Sequence, residues 1–282
     1  MGLSKNVSTF IGFDNEYDES NIVVFGSPFD GTTSFRPGTR FASSVMRGES
    51  YGLETYSPYL DMDLEDKAIF DAGDLELPFG NTEKVLRKIN KFSKKILKDK
   101  KIPLMIGGEH LVSLPQVEAV YEKYKDIYVI HFDAHTDLRD EYMGETLSHA
   151  SVMRRIWDFV GDNRIYQFGI RSGEKFEFNW AKEHTYLNKF NFNGLKEAVE
   201  KIKDKPVYIT IDLDVLDPSV FPGTGTPEPG GVFFNDIMDA IKTMKGLNIV
   251  GADIVELSPH YDQSGVSNAV ACKVLRELSL II

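Results

Sequence analysis

The sequence predicts an α/β fold in which helices cover both faces of a mostly parallel sheet. Seven short apolar runs, rich in β-branched residues, alternate along the chain with segments of helical period. The runs are continuously apolar, which is typical of strands buried on both faces. Strand–helix alternation of this kind indicates parallel strands that are joined by helical crossovers.

The predicted strands, in chain order, are NIVVFGS, AIFDAGD, IPLMIGG, IYVIHFD, RIYQFGI, PVYITID and NIVGADIVEL. The clearest helix lies in NTEKVLRKINKFSKKILKDKK, where Asn81 is placed to cap the start. Its apolar stripe consists of Val85, Ile89, Phe92 and Ile96. The segment FNGLKEAVEKIKDK repeats the pattern. Because the chain has no linker, low-complexity tract or internal repeat, we expect residues 1–282 to form one domain.

The composition argues against several classes of protein. A net charge of −11 disfavours a nucleic-acid or anionic-membrane partner, since both bind a basic surface. The single cysteine, Cys272, cannot form an intrachain disulfide, and its helical surroundings predict a buried apolar role. No apolar stretch is long enough for a membrane span, and MGLSKNVSTF lacks the pattern of a signal peptide. We therefore expect a cytoplasmic protein.

Three of the predicted strands end in side chains that bind metals. The candidate ligands are His110 after IPLMIGG, Asp133, His135 and Asp137 after IYVIHF, and Asp212 and Asp214 after PVYITI. Ligands bind beyond the carboxyl ends of parallel strands, and residues two apart on an extended chain point the same way. Four converging carboxylates would repel one another unless cations lie among them, and two divalent cations carry enough charge. Oxygen and imidazole donors without thiolate favour manganese, although cobalt, nickel or zinc could bind in vitro.

Each of these motifs also has a purely structural explanation. A Gly-Gly turn before a helix is common, an Asp-rich loop can cap a helix, and Asp217-Pro218 can start a turn after the strand. Together, these explanations require three strands to place unpaired carboxylates at one sheet edge by coincidence. The metal site is therefore the better interpretation.

The motifs GGEH, DAHTD and IDLDVLDP resemble the three signature motifs of the ureohydrolase (arginase and agmatinase) family, most of all those of bacterial agmatinases. GSPFDGTTSFRPGTR, FGIRS, PGTGTPEPGG and VGADIVELSP resemble further segments of that family, so the likeness covers nearly the whole chain. One residue departs from the pattern, because the usual first motif is Gly-Gly-Asp-His and this chain has Glu109. That position is not a metal ligand in the family, so the departure concerns only the surroundings of the site.

The resemblance implies an arginase-like fold, with three α/β/α layers around a sheet of about eight strands. It also implies a homo-oligomer (trimer or hexamer) and hydrolysis of a guanidinium group to urea and an amine by a hydroxide that bridges two Mn²⁺ ions. One ion would be held by His110, Asp133, Asp137 and Asp212. The other would be held by His135, Asp133, Asp212 and Asp214, with Asp133 and Asp212 bridging. Asp137 would also accept a hydrogen bond from the hydroxide.

Two more residues receive roles through the resemblance. His149 matches the family's proton-shuttling histidine, and its plain alternative is a surface or helix N-terminal histidine. Glu256 matches the acid that pairs with the substrate guanidinium, and its plain alternative is an ordinary strand-end carboxylate. We expect structural roles for His131, His184 and His260, with His131 close enough to support the site. The Pro-rich stretch PGTGTPEPGG lacks a Walker lysine and is expected to form a stiff wall at the mouth.

The substrate is predicted from the segment LRDEYMGETLS. It lacks the Ser-Gly-Asn stretch with which arginase-type members bind an α-carboxylate, and it offers Asp140, Glu141 and Glu145 against Arg139. An acidic rim favours a small cationic guanidine whose far end is an amine, so we expect agmatine, with putrescine and urea as products. A guanidinobutyrase or another guanidino-acid hydrolase is the alternative. A non-catalytic metal-binding homologue is a third possibility, against which the presence of His149 and Glu256 argues.

Overall fold

The computed structural model describes residues 8–282, so most of the N-terminal stretch considered for a leader lies outside the described residues. Ten strands occur in this part of the chain, and eight of them form one parallel sheet. The strands of that sheet are β1 (Ile22–Gly26), β4 (Ile69–Asp74), β5 (Ile102–Ile106), β6 (Tyr128–Phe132), β7 (Ile165–Ile170), β8 (Tyr186–Lys189), β9 (Pro206–Asp212) and β10 (Asn248–Val255). A separate antiparallel pair consists of β2 (Tyr56–Ser57) and β3 (Met62–Asp63).

Helices cover both faces of the sheet, as predicted. Within residues 8–282 they are α1 (Ala42–Glu49), α2 (Thr82–Lys98), α3 (Ser113–Lys123), α4 (Val152–Val160), α5 (Lys175–His184), α6 (Leu195–Ile202), α7 (Phe234–Met244) and α8 (Val266–Ile281). Helices α1, α6, α7 and α8 share one hydrophobic cluster, and α2, α3, α4 and α5 pack on the other side. The predicted three-layer α/β/α fold is confirmed, and no helix of the described residues is long and apolar enough to cross a membrane.

The local predictions for α2 and α8 are confirmed in detail. The Asn81 side chain accepts the N–H of Lys84 at 2.8 Å and so caps α2. Val85, Ile89 and Ile96 are buried along one stripe of that helix, and Phe92 on the same stripe is half-buried. Cys272 lies on α8 and is fully buried, as its apolar role requires.

All seven predicted strands are present, whereas β8 and the β2–β3 pair have no apolar run that would have predicted them. Strand β8 is a four-residue edge strand, and all of its side chains are exposed or half-exposed. An edge strand in that environment does not need the continuous apolar sequence by which a central strand is identified.

The strand order explains where polar residues collect. Across the sheet the order is β4-β1-β5-β10-β9-β6-β7-β8, with every pair parallel. The four central strands β5, β10, β9 and β6 are therefore neighbours, although they are far apart in the chain. Their carboxyl ends meet at one edge, which is where open parallel sheets bind ligands.

Candidate metal centre and active site

His110 reaches the carboxyl edge through the Gly-Gly turn after β5. A Cβ atom on Gly108 would lie 1.9 Å from the carbonyl oxygen of Phe29, so only glycine allows these two segments to approach so closely. A short 3₁₀ turn then begins at His110 and leads into α3. The imidazole is buried, and its Nδ1 lies 3.1 to 3.2 Å from carboxylate oxygens of Asp133, Asp137 and Asp212.

The DAHTD segment after β6 brings its three candidate ligands to the same place. The two oxygens of Asp133 face different imidazoles, with Oδ2 at 3.1 Å from His110 Nδ1 and Oδ1 at 3.5 Å from His135 Nδ1. His135 Nδ1 also lies 3.0 Å from Asp214 Oδ2. Asp137 has a positive φ of 53°, a strained conformation for a non-glycine residue of the kind that clusters at functional sites.

All six predicted ligands are thus brought together, in two groups that share Asp133. One group is His110, Asp133, Asp137 and Asp212, and the other is Asp133, His135 and Asp214. Asp212 directs Oδ2 to the first group, whereas its Oδ1 accepts the N–H of Asp214 at 2.9 Å. Its expected contact with the second ion stays a prediction.

The hydrogen bonds of His110 test whether a metal fits. Its Nε2 lies 3.0 Å from the hydroxyl of Thr210, which itself donates to Asp253 Oδ1 at 2.6 Å, so Nε2 carries the proton and donates. When the ring is neutral, Nδ1 presents a lone pair, and that atom has no hydrogen-bond partner among the described residues. Burial lowers the pKa of His110, but the contacts with Asp133, Asp137 and Asp212 outweigh it and raise the pKa well above its usual value. The site therefore attracts positive charge, which either a proton on Nδ1 or a metal ion among these groups would supply.

The electrostatics of the carboxylates lead to the same conclusion. Burial, followed by repulsion from Asp133, raises the pKa of Asp137 to about 7. Burial, followed by repulsion from Asp214, raises the pKa of Asp212 well above its usual range. Divalent cations among these groups would remove both costs, and oxygen and imidazole donors without thiolate are a set that manganese accepts.

His131 supports this cluster without facing the cavity. It is fully buried, with Nε2 2.7 Å from Asp133 Oδ2 and Nδ1 3.1 Å from Gln167 Nε2. The expectation that it lies beside the site is confirmed. His184 pairs with Asp162 at 2.6 Å, and His260 stacks on Phe41, so both have the structural surroundings that were expected.

All of the candidate ligands except the fully buried Asp133 line the floor of a cavity of about 380 Å³, and His149 is part of its wall. The backbone N–H of His149 donates to Thr32 Oγ1 at 3.1 Å, and its Nε2 lies 3.2 Å from Ser34 Oγ. Its buried Nδ1 has no hydrogen-bond partner in the described part of the chain. Burial, followed by the positive charge of His135, lowers the pKa of His149 to about 4, so the ring is neutral at pH 7.

Glu256 closes another side of the cavity, directly after β10. Its Oε1 accepts the N–H of His110 at 2.7 Å, and its own N–H donates to Gly108 at 2.9 Å. A φ of 67° places it in the left-handed region, the second such non-glycine residue at this site. Burial, with repulsion from Glu109 next, raises its pKa well above the usual range, a cost that a bound cation would offset.

The sequence analysis predicted the wrong residues for the acidic rim of the cavity. None of Asp140, Glu141 and Glu145 is among the described residues that line the cavity. Asp140 is exposed and pairs with Arg155 of α4 at 2.7 Å. Paired backbone hydrogen bonds join Tyr142 and Glu145 in a tight turn, which directs Tyr142 into the cavity and leaves the acids outside.

The acids that do line the mouth come from the start of α5, which the sequence analysis missed. Glu174 is about half exposed there, and Arg139 lies 3.5 Å from it. Glu177 is buried and accepts from the hydroxyl of Thr136 at 2.6 Å and from the N–H of Leu138 at 3.1 Å, one residue on each side of Asp137. A local signal existed for Glu174 only, because it follows the end of β7 by four residues.

The Pro-rich loop forms part of the wall, as expected. Thr226 lines the cavity and donates to Asp214 Oδ2 at 3.2 Å. Arg171, just after β7, donates to the carbonyl oxygens of Asp214 at 2.7 Å and Glu228 at 2.8 Å. This guanidinium therefore ties the loop to the turn that carries two of the candidate ligands.

Comparison with known proteins gives consistent matches over nearly the full length. A model described as "Arginase family" matches residues 20–281. An agmatinase from Bacillus anthracis is 48% identical over 276 residues, which are 96% of this chain and 95% of that protein. A crystal structure of an agmatinase candidate from Clostridium difficile is 62% identical with a TM-score of 0.93, covering 95% of this chain and 98% of that one. The agmatine ureohydrolase of Thermoplasma volcanium is 35% identical with a TM-score of 0.89, covering 98% of this chain and 94% of that one.

Proposed function

This chain belongs to the arginase family and is a ureohydrolase, a hydrolase that acts on amidines, and we propose that its substrate is agmatine. The products would be putrescine and urea, and the resident cofactor would be two Mn²⁺ ions. The observation that carries the proposal is the pair of ligand groups at the floor of an acidic cavity, which are joined by the buried Asp133 beneath it. The predicted single domain, cytoplasmic location and trimeric or hexameric assembly stay predictions.

The ligands of the two ions are proposed as the sequence predicts them. His110, Asp133, Asp137 and Asp212 would hold one ion, and Asp133, His135, Asp212 and Asp214 the other. The Nδ1 atom of His110, which has no hydrogen-bond partner among the described residues, supports this assignment, as do the raised pKa values of Asp137 and Asp212. When bound, the two ions supply Lewis acidity that makes water a nucleophile at neutral pH.

Glu256 is proposed to bind the guanidinium. Its carboxylate is held in place by the His110 N–H and has no cationic partner within salt-bridge distance among the described side chains. Guanidinium is the planar cation that pairs best with such a carboxylate. The pairing would orient the guanidinium carbon above the floor formed by the two ligand groups, which is the positioning that the hydrolysis needs.

His149 is proposed to protonate the leaving amine. Expulsion of an amine requires a general acid within hydrogen-bond reach, and His149 is the imidazole in the cavity wall that no ligand group uses. Because the ring is neutral at rest, it must first take up a proton and then release it to the amine. Ser34, which touches Nε2 at 3.2 Å, provides a hydroxyl through which that proton can pass.

The charge of the residues that line the cavity supports agmatine as the substrate over 4-guanidinobutyrate and arginine. Two divalent cations would offset the four aspartates, which leaves Glu174, Glu177 and Glu256 against Arg139. The cavity therefore keeps two more negative than positive charges, and agmatine carries two positive charges. Arg139 is itself engaged, at 3.5 Å from Glu174 and 3.6 Å from Glu177, so it offers little to a substrate carboxylate.

The test is urea release from a panel of guanidines with added Mn²⁺. We expect kcat/KM for agmatine to exceed that for 4-guanidinobutyrate or arginine by about tenfold or more. Equal or better turnover of 4-guanidinobutyrate would establish the guanidino-acid alternative. Failure to release urea from any member of the panel would establish a non-catalytic homologue.

A further inference from the structure

Glu109, the residue that departs from the usual family motif, is completely buried and holds a neighbouring loop segment. Its Oε2 accepts the N–H of Thr32 at 2.8 Å and the hydroxyl of Thr33 at 3.2 Å. Its Oε1 accepts the hydroxyl of Thr32 at 2.5 Å. Both carboxylate oxygens are thus used by two consecutive threonines.

The Thr32 hydroxyl has a second contact, and that contact is His149. Because this hydroxyl gives its proton to Glu109, its oxygen lone pair is free to accept the backbone N–H of His149 at 3.1 Å. Two residues further along, Ser34 Oγ lies 3.2 Å from Nε2 of the same histidine. The backbone and the ring of His149 therefore both contact the segment that Glu109 holds.

The backbone around Glu109 fixes the same segment from its other side. The N–H of Glu109 donates to the carbonyl oxygen of Phe29 at 2.8 Å, and Gly108 provides the space for that approach. A glutamate carries one methylene more than the usual aspartate and so reaches further from the same backbone position. In this chain the additional length is used on the two threonine hydroxyls and the N–H of Thr32.

We propose that Glu109 is a positioning residue for proton transfer, which fixes His149 in the cavity wall through the hydroxyl of Thr32. The inference rests on the proposed function, in which His149 protonates the leaving amine. Glu109 does not line the cavity, so it acts through Thr32 and not on the substrate. The competing explanation is that Glu109 only satisfies the donors of a buried loop.

The two threonines offer a matched pair of variants that separates these explanations. Thr32→Val and Thr33→Val each remove one hydroxyl that donates to Glu109, but only the first removes the acceptor of the His149 N–H. We expect Thr32→Val to lower kcat for agmatine by about tenfold or more with little change in KM, as for other residues that orient a catalytic group. Thr33→Val should stay within about twofold of the unchanged chain, and Thr32→Ser, which keeps the hydroxyl, should restore kcat.

Two further measurements separate the positioning role of Glu109 from a merely structural role, because a merely structural role would not give the results expected here. Backbone amide exchange at His149, followed by mass spectrometry of its peptide, should accelerate in Thr32→Val and Glu109→Gln but not in Thr33→Val. In a chain that already carries His149→Asn, Thr32→Val should add almost no further loss of kcat, because the two changes act on one group. Metal content should be unchanged in all of these variants.

Equal effects of Thr32→Val and Thr33→Val on kcat and on exchange would overturn the inference, as would losses that simply multiply with His149→Asn. A failure of the proposed function is distinguishable, because the unchanged chain would then release no urea from any guanidine. In that case, the exchange comparison alone still decides whether Glu109 and Thr32 hold His149.

Discussion

Single side chains determine this site through the directions of their lone pairs and charges. The Thr210 hydroxyl accepts the proton on Nε2 of His110, and Nδ1 of the same ring faces three carboxylates. The same carboxylates would be a cost to the fold if no cation lay among them. The residue types and their position after three apolar runs were enough to predict this cluster, although Asp133, His135 and Asp137 lie beyond the end of β6 and not within the strand.

His149 gives the first residue-scale prediction. If it protonates the leaving amine, His149→Asn should lower kcat by about 10²- to 10⁴-fold. The side chain of asparagine keeps much of the shape, and the backbone N–H that donates to Thr32 remains, so two metals per chain should still bind. Turnover and metal content measured on the same preparation check both statements, and near-normal kcat would return His149 to a structural role.

Glu174 gives the second residue-scale prediction. It lies at the mouth, and loss of its charge should weaken attraction for the far ammonium of agmatine. We expect Glu174→Gln to raise KM for agmatine by about threefold to tenfold and to change kcat little, since the interaction is the same in ground state and transition state. Asp140→Asn is the matched control, because that acid pairs with Arg155 outside the cavity, and it should leave KM unchanged. A raised KM for Asp140→Asn with an unchanged KM for Glu174→Gln would instead support the acidic rim that the sequence predicted.

The sequence predicted those helices and strands whose formation depends on neighbouring residues. It missed those whose formation depends on contacts with distant parts of the chain. The Asn81 cap and the buried stripe of α2 follow from neighbouring residues, and the central strands follow from their continuous apolar runs. Strand β8 is held by its pairing with β7 at the sheet edge, which leaves no such run. The position of Asp140 depends on Arg155, fifteen residues further along, and so could not be read from charge counts in one loop.

The start of α8 gives an element-scale prediction about stability. Asp262 accepts the N–H groups of Ser264 at 2.9 Å and Ser267 at 2.7 Å, and it also accepts both of their hydroxyls. Asp262→Ala should therefore lower the free energy of unfolding by about 1–2 kcal/mol, because the N–H of Ser267 in the first turn of α8 and three other donors lose their acceptor. Asp239→Ala, at an exposed acid of α7, is the control and should be nearly neutral.

The pH dependence of that stabilisation has a definite sign. Burial raises the pKa of Asp262, but the hydrogen bonds from Ser264 and Ser267 outweigh it and lower the pKa to about 2. A carboxyl whose pKa is lower in the folded state stabilises above its unfolded pKa of about 4 and loses that effect as pH falls towards 2. The difference in Tm between the unchanged chain and Asp262→Ala should thus be constant near neutral pH and shrink below about pH 4. A difference that grows on acidification would contradict this account.

At the scale of the whole molecule, the site is a consequence of strand order. Strands β5, β10, β9 and β6 lie side by side and deliver His110, Glu256, Asp212 and Asp133 to one edge. The sequence predicts that the ligands follow strands, but it does not predict which strands are neighbours, because long-range packing sets the strand order. Glu177 could not be found at all in this way, because its contacts to the DAHTD segment join residues about forty positions apart.

Metal removal gives a prediction at the same scale, since the ions would join segments from three strands. Chelation should abolish urea release and lower Tm, and Mn²⁺ should restore both. Free metal at a hundred times its Kd stabilises the folded state by about 2.7 kcal/mol per site, provided that the unfolded chain does not bind it. An unchanged Tm after chelation would mean that these ions do not hold the carboxyl edge together.

The most direct test of the metal centre is a crystal structure with bound Mn²⁺, in which the anomalous signal locates each ion. We expect two peaks roughly 3.5–4 Å apart, one beside His110 and one beside His135, with Asp133 touching both. A single peak, or two peaks whose ligands come from elsewhere in the chain, would contradict the assignment.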